Sequence, residues 1–150
     1  MGRINWGRVI LGGLLAGLII NAVEFLVNSV LLQKQWATAM AFGKQIGHGQ
    51  IAAFVIWGFL LGIFAIWLYA ELRGHYGGRP VTAVIAGLAV WFLGYFLADV
   101  APFAVNLFPL YLILVGLIVG LIEVVAGTMA GAWLYQTPRT QMASTAAAKS

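Results

Sequence analysis

Four long apolar runs, at about 9–32, 51–70, 81–100 and 110–135, leave this 150-residue chain few ways to fold. A helix of about 20 residues crosses the ~30 Å hydrocarbon core of a bilayer. None of the runs alternates with the period of two that a half-buried strand would show. In lipid, a helix satisfies its own backbone N–H and C=O groups within one segment. The expected fold is an all-α, four-span transmembrane helix bundle, a single domain over 1–135. A polar tail at 136–150 is expected to be disordered.

Composition narrows the class further. With 63% hydrophobic and 8% charged residues, the chain is far from the balance of a soluble domain. The absence of cysteine excludes disulfides, a thiol nucleophile, iron–sulfur clusters and cysteine-bound zinc. The formal charge of +4 is scattered, without the basic patch of a nucleic-acid binder. The opening MGRINWGRVILGG is basic, yet the run from Val9 to Leu32 is too long for a cleaved signal and reads as a retained anchor. A myristoylation motif fails because Trp6 stands where Ser or Thr is needed.

Basic residues orient the spans. Arg3, Arg8, Arg73, Arg79, Arg139 and Lys149 share a side with both termini, and only Lys34 and Lys44 lie opposite. By the positive-inside rule both termini are cytoplasmic, and the expected location is a bacterial inner membrane. Between spans one and two, QKQWATAMAF fits a short interfacial helix with Trp36 and Met40 one turn apart, ended by Gly43, Gly47 and Gly49. A solvated loop with an interfacial turn is the simpler reading, and a lid over an outward-facing cavity is the other. ELRGHYGGRP reads as a loop, with Pro80 starting the third helix. Pro102 is expected to kink or end that helix, leaving Asp99 at the outer boundary.

Within the spans, polar and small residues share faces. Gly13, Gly17, Asn21, Glu24 and Asn28 fall within an arc of about 80°. Gly116, Gly120, Glu123, Gly127 and Gly131 do the same in span four. Span two carries Gly58 and Gly62; span three carries Gly87 and Gly94. Small residues let helix backbones close and acids avoid lipid, so these stripes are expected to face protein, the two acidic ones being candidates to face each other.

Glu24, Glu71, Asp99 and Glu123 are the only acids, and no basic residue lies inside a span. Glu24 and Glu123 are therefore expected to be neutral and hydrogen-bonded, since desolvation penalises an unpaired carboxylate. Asn21, Asn28, Thr128, Ser29 and Tyr95 are candidate partners. Counting along the helices puts Asn21 level with Glu123 and Glu24 about one turn further out. Such a cluster either fixes helix register, at ~0.6–2 kcal/mol per hydrogen bond, or carries a proton or cation.

Other chemistry is poorly supplied. His48 and His75 flank span two on opposite sides, and no GxSxG, HExxH or phosphate loop occurs. No catalytic residue, metal or cofactor is assigned, and an enzyme is not expected. Phe54, Trp57, Phe59, Phe64, Trp67 and Tyr69 of span two offer lipid-facing bulk and an interfacial belt, or a quinone or pigment site.

NWGRVILGGLLAGLIINAVEF, the external QW, WGFLLGIFAIWLYA and the closing GAWLY resemble a group of short bacterial membrane proteins with four predicted helices and no assigned function. That resemblance implies the four-span fold and no activity. The layout also resembles the small multidrug-resistance exporters, whose first-helix glutamate exchanges protons for cationic drugs; it implies that role for Glu24 alone. The long first external loop, the polar tail and the charge bias depart from that pattern.

The leading expectation is a non-enzymatic accessory or scaffolding subunit in the lipid bilayer. It would pack through its glycine faces as a homo-oligomer or within a larger membrane complex. The alternatives are a proton-coupled small-solute or cation transporter or channel using Glu24 and Glu123, and a binder of a lipophilic cofactor.

Overall fold

Asn5 opens the first helix by accepting the Arg8 amide on its side-chain oxygen at 3.2 Å, as a capping asparagine does. The computed structural model describes residues 4–39 and 47–136, so Met40, Gly43, Lys44 and the expected tail beyond Gln136 lie outside the described residues, while Gln136 itself ends the last helix. From Asn5 the chain forms α1 (Trp6–Glu24), which runs without a break into a π-helical stretch (Phe25–Leu31), and then α2 (Gln33–Ala39). There follow α3 (His48–Tyr76), α4 (Pro80–Trp91), a second π-helical stretch (Phe92–Phe96), α5 (Leu97–Ala104) and α6 (Leu110–Gln136). Among the described residues there is no strand. Trp6–Leu31, His48–Tyr76, Pro80–Ala104 and Leu110–Gln136 are long and apolar enough to cross a membrane.

Two boundaries differ from expectation. The loop expected at ELRGHYGGRP shrinks to residues 77–79, because α3 continues through Glu71, Arg73 and His75 to Tyr76. Gly74 alone costs a helix only ~1 kcal/mol; Gly77, at φ +77°, adopts a left-handed backbone and ends it. Glu71 is thus an exposed helical residue. The third span carries on past Pro102 to Ala104. It stops where Asn106 takes φ +51°. There Leu107 N–H donates to Pro102 O at 2.9 Å and Asn106 N–H to Phe103 O at 3.1 Å, the paired bonds of a Schellman ending.

α1 packs against α3 and α6, and its two small-residue faces meet these different helices. Toward α3, a Cβ on Gly13 would lie 2.5 Å from Ile63 Cα, and one on Gly17 2.7 Å from Phe59 Cα. A Cβ on Gly62 would strike the backbone of Gly13 and Gly17, and one on Gly58 the Asn21 side chain. Toward α6, a Cβ on Gly12 would lie 2.6 Å from Gly131 O, and one on Gly127 2.9 Å from Ala16 O. The two acid-bearing glycine stripes therefore do not close on each other. That of α1 closes on α3, while α6 packs on the neighbouring face of α1, through Gly12 and Ala16.

Gly87 joins α4 to α6, with its Cβ position 3.0 Å from Val125 Cα. Gly94 faces only the Leu61 side chain, and a Cβ at Gly116 would meet nothing within 4 Å, so Gly116 is not a packing glycine. Val9, Ala16, Ile66, Tyr69, Ala86 and Ala132 form one buried cluster; Ile20, Leu61, Ala65, Val90 and Val124 form another.

The end that carries Arg8, Arg73 and Arg79, here the arginine end, is cinched by polar contacts. The Arg8 guanidinium donates to Tyr135 O at 3.0 Å, a cation on the last turn of α6. Arg73 sits 5.7 Å over the Tyr135 ring, whose edge meets Tyr69 at 6.0 Å. Gln136 donates to the Tyr69 hydroxyl. The far end is open by contrast: His48 through Trp57 are all exposed, and neither π-helical stretch nor α5 buries a residue.

Candidate functional site

At the transition from tight to open packing, three spans and α2 direct polar side chains to one place. Glu24 is the last residue of α1, and Asn28 lies one turn on, within the π-helical stretch. Tyr95 comes from the π-helical stretch after α4, and Glu123 from the middle of α6. Both stretches make i→i−5 bonds, Leu32 N–H to Val27 O and Leu97 N–H to Phe92 O. Short π-helical turns of this kind gather at functional sites.

The bonds form one chain. Trp36 Nε1 donates to Asn28 Oδ1 at 2.9 Å, and Asn28 Nδ2 donates to Glu24 Oε2. Glu24 Oε1 lies 3.4 Å from the Tyr95 hydroxyl, which donates to Glu123 Oε1 at 2.5 Å. Glu123 is 1% exposed, and its Oε2 has no hydrogen-bond partner among the described residues. Glu24 is half-buried, and the two carboxyls are close enough to interact electrostatically and to share a hydrogen bond when one of them carries a proton. A hydroxyl has a single proton to give. Tyr95 therefore donates to one acid at a time, and the other acid completes its bond only by carrying a proton itself.

Packing explains why the tyrosine reaches this point. A Cβ on Gly120 would lie 2.5 Å from Tyr95 Cε1, so the bare backbone of α6 there makes room for the ring. At the mouth of the site, Trp36 of α2 sets its ring edge-on to Phe108 at 5.3 Å.

The structure sorts the candidate residues. Glu24, Asn28 and Glu123 meet, with Tyr95 as the bridge. Asn21 does not join them: its amide donates to Gly17 O at 2.9 Å and Val55 O at 3.2 Å, tying α1 to α3. Thr128 is buried and donates to Val124 O at 2.6 Å, against Gly87 rather than the acids. Ser29 is exposed. The contacts of Gly12 with Gly131 and of Ala16 with Gly127 set a register in which Ile20 is level with Glu123 and Glu24 lies about one turn further out. The two acid side chains converge on the Tyr95 hydroxyl from these different levels. Trp36 was expected at an interface, and it points its indole N–H inward instead. The available signal was its place on α2, close behind Asn28 in sequence.

Among the described residues no group of three or more His, Asp or Glu gathers as a metal site. The two acids and a tyrosine are suited to holding a proton over several oxygens, or to meeting a single positive charge. The aromatic span offers less. A groove between α3 and α4 is lined by Trp57, Leu60, Leu61, Phe64, Val90 and Leu93, with only an indole nitrogen to meet a quinone oxygen.

Fold and site together define a four-helix chain, apolar enough to cross a membrane, with a carboxyl–tyrosine–carboxyl cluster between its helices. Comparison with protein-family models, curated proteins and solved structures finds no match to it.

Proposed function

We propose that this chain is an integral membrane protein, with both termini on the cytoplasmic side, that couples movement of a small solute or cation to a proton held at Glu24, Tyr95 and Glu123. Its four long helices turn large apolar side chains such as Leu18, Ile118 and Ile122 outward, as lipid contact requires. Arg8, Arg73 and Arg79 lie at one end, the end expected to face the cytoplasm.

The observation that carries the reading is a buried acid with one oxygen bonded to Tyr95, the other without a donor among the described residues, and a second carboxyl lying against it. A network that served only to fix helix register would gain by satisfying that oxygen, since an unpaired buried polar atom costs ~1–3 kcal/mol. A site that takes up and releases a proton or cation needs such an atom. The accessory-subunit reading is less well supported, because it depended on glycine faces left over for a partner. Gly12, Gly13, Gly17, Gly58, Gly62, Gly87, Gly127 and Gly131 all close within the chain.

The test is ion flux through the full-length chain in liposomes, read with a pH-sensitive dye under an imposed gradient. Glu24→Gln and Glu123→Gln should each lower proton-coupled flux at least about tenfold. Flux that is absent from the native chain, or unchanged in both variants, would reject the proposal.

A further inference from the structure

We infer that Tyr95 relays the proton between the two acids, with Glu24 as the loading side and Glu123 as the terminus, and that Trp36 sets this polarity. The inference deepens the proton-site reading and rests on it. An indole N–H can only donate. At 2.9 Å from Trp36 Nε1, Asn28 must therefore present its carbonyl oxygen to the indole and its NH2 to Glu24 Oε2. That oxygen of Glu24 is thereby fixed as an acceptor. A proton on Glu24 sits on Oε1, the oxygen that faces Tyr95.

Exposure gives the order of filling. Glu24 is half-buried while Glu123 is closed off, so the relay runs from Glu24 to Glu123. In the hand-off, the O–H bond at Glu24 Oε1 breaks as its proton joins the phenol oxygen. The phenol's own O–H breaks as that proton joins Glu123 Oε1. Glu24 ends as a carboxylate, Glu123 as a neutral acid, and the phenol is restored with its hydrogen turned toward Glu24. No other reactant is needed.

The two arms of the relay are unequal. The Glu123 arm is closed at 2.5 Å, whereas the Glu24 arm at 3.4 Å is longer than the ~2.7–2.8 Å usual for O–H···O bonds. Transfer waits on shortening of that arm. Tyr95 lies inside one π-helical stretch and Glu24 abuts the other. The adjustment falls where both helices already depart from α geometry.

Infrared spectroscopy of the full-length chain in lipid nanodiscs, during exchange from H2O to D2O, tests the relay without requiring transport. The Glu123 carboxyl band is assigned by its loss in Glu123→Gln. The native chain should show this band exchanging promptly. Both Tyr95→Phe and Glu24→Gln should slow it at least about tenfold, while Glu24 in Glu123→Gln exchanges at its native rate. Trp36→Phe, which frees the Asn28 amide to flip, should shift or broaden the Glu24 band at unchanged helix content. Equal or faster Glu123 exchange in Tyr95→Phe and Glu24→Gln overturns the relay, as does the absence of any protonated Glu123 band. An unmoved Glu24 band in Trp36→Phe overturns the assigned polarity. Absent flux in liposomes with this exchange pattern intact would reject transport and leave the relay standing.

Discussion

At the arginine end, α1 lies against α3 and α6 backbone to backbone, with Gly62 seated on Gly13 and Gly17 and Gly131 on Gly12. Beyond Ile20, the contacts of the same span become side-chain hydrogen bonds from Asn21, Glu24 and Asn28, and past Glu24 it leaves α geometry for a π-helical stretch that buries nothing. Where glycines face backbone, little room is left for a polar group or its proton. Where bulkier residues and π turns hold the helices apart, there is space for two acids and a tyrosine. Asn21 marks the border, filling the space over Gly58 and binding Val55 O.

The contrast predicts different consequences for substitutions in the two halves. The largest loss of stability is expected for Gly62→Val. Its Cβ meets backbone that cannot turn aside, and a melt in mild detergent should show a loss of about 1–3 kcal/mol or more. Arg8→Ala removes the cation from Tyr135 O and should cost about 1 kcal/mol in the same assay. It should leave flux at the native level, since the contact is far from the acids. Asn21→Ala should cost about 0.6 kcal/mol, typical of a polar contact between membrane helices. The smallest effect is expected at Gly116→Ala, within about 0.5 kcal/mol of native, because a Cβ there meets open space. If Gly116→Ala destabilised as much as Gly62→Val, the distinction between the two kinds of glycine would fail.

The four long helices were legible in the sequence because each is a local property: a long apolar run, a capping Asn5, a Pro80 that begins a helix. The involvement of Glu24 and Glu123 was legible too, because an acid amid small apolar residues is conspicuous. Their meeting through Tyr95 was foreseen only as one option among several. The partner of each stripe was not legible, since α1 offers two small-residue faces and the choice between them depends on how three helices fit together. Gly120 shows the same limit, because its stripe suggested helix contact and it houses a tyrosine ring instead. Neither FLVNSVL nor FLGYF announces π geometry, and the short distance in sequence from Asn28 to Trp36 was the one local sign that its indole turns inward.

The central claim is that the hydroxyl between the two acids carries the proton, and Tyr95→Phe removes that hydroxyl with the least change of shape. Proton flux in liposomes, measured for the native chain and Tyr95→Phe at equal incorporation, tests it most directly. The account predicts that flux falls at least about tenfold while the variant stays folded. Native-level flux through a folded Tyr95→Phe chain would contradict it.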